Sequence, residues 1–175
     1  VMTDWKKVKA VTFDVDGVMT DGGLLAMDGG EFVREFNVKD SFALRYAALC
    51  GYRLGVFSGG DTPGVRTRLR VCGIPDEDIH LGCRGKLPVW KAFLAKYGLQ
   101  PEEVLYMGDD IPDLQVIKAA GIGAVPADAA RDAIEAADYV CEAPGGRGAL
   151  REVIEKMMRG SGAWQFEDDI FTKIF

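Results

Sequence analysis

The chain has 175 residues, enough for one domain with a sizeable core, and its 48% apolar and 27% charged content excludes a disordered polypeptide. A net charge of −6 argues against a nucleic-acid binder, whose footprint is basic, yet allows an anionic small substrate wherever a metal ion or a local Lys or Arg reverses the field. No apolar run approaches the ~20 residues of a membrane span, and Thr3-Asp4-Trp5-Lys6-Lys7 enters the first strand without a signal-peptide pattern.

Taken in order, Ala10–Phe13 is a short apolar run with the character of a strand buried on both faces, ending in Asp14-Val15-Asp16-Gly17. Two acids at a buried strand's tip are costly unless they face a crevice or a cation. A calcium loop would need further acids at alternate positions, and Val18 and Thr20 do not supply them. Residues 24–36 then read as a β-hairpin around Asp28-Gly29-Gly30, a small flap beside the acidic tip. Ser41 is the predicted cap of a helix reaching about Cys50, with Gly51 as its stop. Arg53–Phe57 is a second buried strand ending in Ser58-Gly59-Gly60, and Pro63 opens a helix that turns Val65, Leu69 and Val71 inward. A short strand at Ile79-His80-Leu81 precedes a helix over Lys86–Tyr97, closed by Gly98. Val104–Met107 is the next strand, with Gly108-Asp109-Asp110 at its tip and Pro112 opening a helix that ends near Gly121. A strand at Ile122–Val125, a helix over 129–136, a strand at Tyr139–Val140 and a helix over 148–158 complete the alternation. Strands and helices alternating across short turns predict an α/β, Rossmann-like parallel sheet with helices on both faces. Residues 1–160 form the predicted domain and 161–175 a tail. Cys50, Cys72, Cys83 and Cys141 form no C-x-x-C pair and read as reduced thiols in a cytoplasmic protein. Gly85-Lys86-Leu87 is no Walker loop, and Gly121-Ile122-Gly123 meets Pro126 where a dinucleotide fold needs glycine.

In a parallel sheet the tips carrying Asp14 and Asp16, Ser58, Lys86, and Asp109, Asp110 and Asp113 share one edge. Singly, each has a plain explanation as a turn former, a solvated lysine or a helix cap. Together they supply acids for a divalent metal, a hydroxyl and an ammonium for an oxyanion, and one acid free to attack. D-V-D-G-V at Asp14, S-G-G at Ser58, the lone Lys86 and G-D-D-I-P-D from Gly108 resemble, in order, the four motifs of the haloacid dehalogenase (HAD) superfamily of phosphatases. The small flap, the lack of room for a cap domain, the run Val65-Arg66-Thr67-Arg68 and G-G-R-G-A-L-R-E from Gly145 are similar to the capless 3-deoxy-D-manno-octulosonate 8-phosphate (KDO 8-phosphate) phosphatases. Ser58 stands where that family usually has threonine, which keeps the hydroxyl, and Asp61 stands where it has a basic residue.

The resemblance implies a cytoplasmic, Mg²⁺-dependent phosphomonoesterase of lipopolysaccharide sugar synthesis, with a phosphorylated keto-sugar acid as substrate and neither nucleic acid nor membrane as partner. It implies Asp14 as nucleophile, Asp16 as acid and base, and Ser58 with the Gly59 N–H on the phosphoryl oxygens. Lys86 would offset the charge, and Asp14, Asp109 and the Asp16 carbonyl would hold the metal. Asp110 and Asp113 would orient water or Lys86, while Gly60, Arg66, Arg147 and Arg151 are the expected substrate contacts. A related nine-carbon sugar acid phosphate is the neighbouring alternative. A receiver-type phosphoacceptor domain is the alternative of another class, although no aspartate ends the strand before Ser58. Trp164, Phe166, Ile170, Phe171, Ile174 and Phe175 are too many apolar groups for a free tail. They could patch the chain's own core, but the resemblance favours a homotetramer. There the flap packs between subunits, and Arg147, Arg151 or the tail helps enclose the sugar acid.

Overall fold

The computed structural model describes residues 4–167 and 169–174, with the side chain of Phe171 excluded. Six parallel strands form the main sheet: β1 (Ala10–Phe13), β4 (Arg53–Phe57), β5 (Ile79–His80), β6 (Val104–Met107), β7 (Ile122–Val125) and β8 (Tyr139–Val140), in the order β5-β4-β1-β6-β7-β8. The chain winds outward from β1 in one direction and then the other, so the order reverses between β1 and β6. That reversal opens a crevice beyond their carboxyl ends. Phe13 pairs with Val56 on one side and Met107 on the other, which sets Asp14 level with the ends of both neighbours. β1, β6 and β7 are buried along their whole length because both faces are covered. On one face Val11, Phe13, Leu105 and Met107 meet α1 (Val38–Leu49), α2 (Pro63–Val71) and α6 (Ala149–Ser161). On the other, Ala10, Val104 and Tyr106 meet α3 (Lys86–Tyr97), α4 (Leu114–Ala119) and α5 (Arg131–Ala136).

Between β1 and α1 lies only the antiparallel pair β2 (Leu25–Ala26) and β3 (Phe32–Val33); the described residues contain no cap domain. The hairpin is shorter than 24–36 suggests, with two-residue strands. Four other expectations are corrected. α1 starts at Val38 because Asn37, a strong cap, accepts the Lys39 N–H at 2.9 Å; Ser41 lies inside the helix and bonds back to the Asn37 carbonyl. Val71 is 52% exposed, and Cys72 takes the inward place that the helical period from Val65 and Leu69 demands. Pro112 sits in a 3₁₀ turn, Ile111–Asp113, and α4 follows it, ending at Ala119; α5 likewise starts later than predicted, at Arg131.

The tail lies on its own chain. Trp164 and Ile174 belong to the buried cluster over α1, with Trp164 edge-on to Tyr46 at 5.3 Å between ring centres. The Tyr46 hydroxyl faces the carbonyls of Ala163, at 3.1 Å, and Gln165. A short helix α7 (Ile170–Lys173) precedes Ile174. Phe175 and the side chain of Phe171 lie outside the described residues, as does Thr3.

Candidate active site

Asp14 leaves β1 with its own N–H donating to the Met107 carbonyl at 3.0 Å, so the sheet ladder carries on into the site. Its carboxylate is pinned from two sides: Oδ1 accepts the Val15 N–H at 2.6 Å, and Oδ2 faces Lys86 Nζ at 2.7 Å. Lys86 opens α3 and is buried, and its ammonium also reaches Asp113 Oδ1 at 2.6 Å. Burial alone would lower the lysine pKa, but Asp14 and Asp113 outweigh it and hold the ammonium above its usual range. Asp113 is saturated. Oδ1 takes Lys86 and the Tyr106 hydroxyl, and Oδ2 takes the N–H groups of Asp109, at 3.2 Å, and Asp110, at 3.4 Å. Such saturation is what a buried carboxylate requires. Tyr106 faces α3, where Trp90 Nε1 donates to Thr12 at 3.1 Å and Thr12 to the Leu105 carbonyl at 2.8 Å.

One oxygen each from Asp14, Asp109 and Asp113 can be found within 4.8 Å of one another. With Asp113 taken, Asp14 and Asp109 are the carboxylates left for a cation. Burial, reinforced by Asp14, Asp113 and Asp110, pushes Asp109 up to about 7, and burial raises Asp14 to about 6 against the pull of Lys86. Two crowded, desolvated carboxylates are relieved by a hard cation with oxygen ligands, so this donor set fits Mg²⁺. Gly17 makes the approach possible. Its φ is +80°, and a Cβ there would lie 1.9 Å from Asp109 Oδ2. Buried Thr20 accepts the Gly17 N–H at 3.3 Å and closes the loop.

Ser58 is buried just after β4, its Oγ accepting the Gly60 N–H at 3.3 Å, which leaves the hydroxyl proton for another acceptor. Asp16 is tied to the flap. Arg34 Nε donates to its Oδ1 at 2.6 Å and an Arg34 terminal nitrogen to its Oδ2 at 3.0 Å, a bidentate pair absent from the sequence reading. The sequence did hold a signal for it, an arginine between the apolar Val33 and Phe36 of a hairpin beside two acids. Tyr106 and Trp90 carried no such signal, lying within the strand Val104–Met107 and the helix Lys86–Tyr97. The expected substrate contacts are dispersed. Arg66 is tied to Asp76 at 2.9 Å and to the Ile79 carbonyl. Arg147 reaches Glu35 at 3.1 Å and Asp21 at 3.5 Å beside the flap. Arg151 pairs with Glu155 at 3.0 Å and lies over the rings of Phe42 and Trp164. Between flap and α2 a cavity of about 820 Å³ is lined by Phe32, Arg34, Phe36, Asp61, Pro63 and Arg68.

Residues 86–151 match the family model of haloacid dehalogenase-like hydrolases. The chain is 35% identical over 164 residues to the 3-deoxy-D-manno-octulosonate 8-phosphate phosphatase of Salmonella typhi, covering 93% of this chain and 85% of that protein. Among solved structures, a probable YrbI family phosphatase from Pseudomonas syringae is similar with a TM-score of 0.91 and 35% identity, over 98% of this chain and 96% of that one. The KDO 8-phosphate phosphatase of Moraxella catarrhalis, solved with a magnesium ion, a phosphate ion and a KDO molecule, gives a TM-score of 0.89 and 27% identity, over 98% and 96%.

Proposed function

Because the chain belongs to the haloacid dehalogenase-like hydrolases and, within them, to the family of the capless KDO 8-phosphate phosphatases, we propose that it hydrolyses KDO 8-phosphate to KDO and phosphate through an aspartyl-phosphate on Asp14. The observation that carries this reading is Lys86, whose ammonium lies 2.7 Å from Asp14 and 2.6 Å from Asp113 at the tip of the central strand. In a receiver domain an adjacent acidic pair follows the first strand and the phosphoaccepting aspartate follows a later one in chain order; here Asp14-x-Asp16 follows β1, and Ser58 follows β4.

An Asp14 oxygen attacks phosphorus in line, the bond from phosphorus to the sugar oxygen breaks, and that oxygen takes a proton from Asp16. Water then attacks the same phosphorus, Asp16 takes its proton, and the bond to Asp14 breaks to release phosphate. Val15 and Lys86 fix the Asp14 carboxylate before substrate arrives, so little orientation is left to be lost on reaction. Lys86 and the Ser58 hydroxyl face the charge that gathers on the phosphoryl oxygens, aided by the Gly59 N–H. Asp14, Asp109 and the Asp16 carbonyl would hold Mg²⁺, which when bound offsets the phosphoryl charge. Asp113 holds Lys86, and exposed Asp110 would orient water at the rim.

The sugar acid extends into the cavity under the flap, whose wall carries Arg68, while Arg147 lies beside the flap. Asp61 on the cavity wall supports a second reading, a nine-carbon 3-deoxy-nonulosonate 9-phosphate, because an acid there disfavours the carboxylate end of a shorter substrate. Four free cysteines support a reducing, cytoplasmic setting. Exposed Leu24, Leu25, Phe32 and Val33 on the flap support a homotetramer in which flaps pack together, with 161–175 as an appendage of the domain. Phosphate release with Mg²⁺, compared across the eight-carbon and nine-carbon substrates and an aryl phosphate, tests the assignment. The highest kcat/KM is expected for KDO 8-phosphate. A reversed order moves the assignment to nine carbons, and no preference over the aryl phosphate removes the sugar acid. Sedimentation checks the tetramer.

A further inference from the structure

Arg34 inverts the ordinary logic of an exposed hairpin. Its flap neighbours Phe32 and Val33 are exposed, while the side chain of Arg34 retains only 5% of its exposure and its backbone stays in contact with solvent. Burying a guanidinium is costly unless its donors are matched. Here they are. Two nitrogens fork onto both oxygens of Asp16 at 2.6 and 3.0 Å, and the third reaches Thr62 Oγ1 at 3.4 Å and the Phe32 carbonyl at 3.5 Å. The loop after β4 makes room for this fork. A Cβ on Gly60 would lie 2.9 Å from the Arg34 nitrogen and 3.2 Å from Asp16 Oδ2. Three segments separated in sequence therefore meet at one ion pair: the acidic loop, the flap and the loop leading to α2.

We infer that Arg34 is the positioning residue for Asp16, fixing the plane of its carboxyl group so that the proton is given and taken in the direction of the phosphoryl site. A planar fork is suited to this task, since it sets orientation as well as charge, and each Asp16 oxygen keeps a second lone-pair direction for the proton. Lysine would supply charge alone. The inference rests on Asp16 acting as acid and base as proposed above. If Arg34 were only a pin for the flap, its loss would weaken binding of substrates that reach the flap and leave turnover of a small aryl phosphate intact.

The test is a double-mutant cycle on p-nitrophenyl phosphate, using Arg34→Met, Asp16→Asn and the pair, with Arg34→Lys as a second variant for the same cycle should Arg34→Met fold poorly. Arg34→Met is expected to lower kcat by about 10- to 100-fold with KM changed by less than about 3-fold, and Arg34→Lys to recover part of kcat. In the Asp16→Asn background either Arg34 change should cost less than about 3-fold more. Losses that multiply, or a loss confined to KM, overturn the role of Arg34. An Asp16→Asn enzyme as active as the parent instead overturns the assignment of Asp16 itself.

Discussion

On the sheet side of the site, Asp14, Lys86 and Asp113 are buried and held by contacts that follow from strand register: Asp14 continues the ladder of β1, and Asp113 is fixed by backbone N–H groups at the tip of β6. On the flap side, Asp16 is 31% exposed and its carboxylate is held by Arg34, carried on a hairpin of two-residue strands. The difference follows the proposed chemistry. Charge that must stay in place while phosphorus changes partners is built on rigid strand ends, where low dielectric strengthens it. A group that must meet an incoming sugar oxygen and then a water belongs at the rim.

The largest effect expected on the sheet side is from Asp14→Asn, which keeps the shape and an acceptor for the Val15 N–H but removes the proposed nucleophile. Phosphate release should fall by about 10⁴-fold or more, while near-UV circular dichroism stays that of the parent. Retention of a sizeable share of kcat would reassign the nucleophile. Asp113→Ala should act on stability as well. It leaves Lys86 with one partner and strands the Tyr106 hydroxyl and two N–H groups, and breaking such a buried pair costs about 3–5 kcal/mol. Urea unfolding reads that cost. A loss no larger than that of Arg34→Met would erase the distinction between the two sides.

Asp16→Asn should lower kcat on the sugar phosphate by about 10²- to 10³-fold. The loss should be smaller on p-nitrophenyl phosphate, whose leaving group needs no proton, so that only the water step suffers. Equal losses on both substrates would make Asp16 structural.

The two sides also differ in how far the sequence discloses them. The strand tips are legible because an acid, serine or lysine after a buried apolar run is anomalous, and parallel topology brings such anomalies together. Asp113 is legible as an acid, but not as the saturated hub it is, since that depends on Tyr106 and on the N–H groups of Asp109 and Asp110. The flap is legible as a hairpin. The partner of Arg34 is not, because pairing across 18 residues through a loop leaves no periodic trace. The tail fails differently: its apolar residues were evident, but their seat on Phe42 and Tyr46 depends on which face of α1 the core leaves open. Ser41 and Val71 misled because Asn37 is an earlier cap and Cys72 an equally apolar inward residue.

The smallest effect concerns the junction of the two sides, the first turn of α1, where the chain returns from flap to domain. Asp40 is buried there; its Oδ1 accepts the Arg151 N–H at 2.7 Å and its Oδ2 has no partner among the described residues. Burial raises its pKa to about 6, and neither the Arg151 N–H nor the charges of Arg151 and Arg68 offset that. An acid raised in the folded state keeps a proton that the unfolded chain has already released. Between the unfolded value of 3.8 and about 6, this group's contribution to stability therefore falls as pH rises, and above about 6 the penalty is complete. The shift sets an upper bound of roughly 3 kcal/mol. Asp40→Asn is neutral at every pH and retains an acceptor for Arg151. Its stability relative to the parent, from urea midpoints between pH 4 and 8, should be highest at pH 7–8, decline on acidification and level off near pH 4. A variant less stable than the parent at pH 7, by an amount independent of pH, would mean that the Asp40 charge is matched in the fold and that this junction is as firmly held as the sheet side.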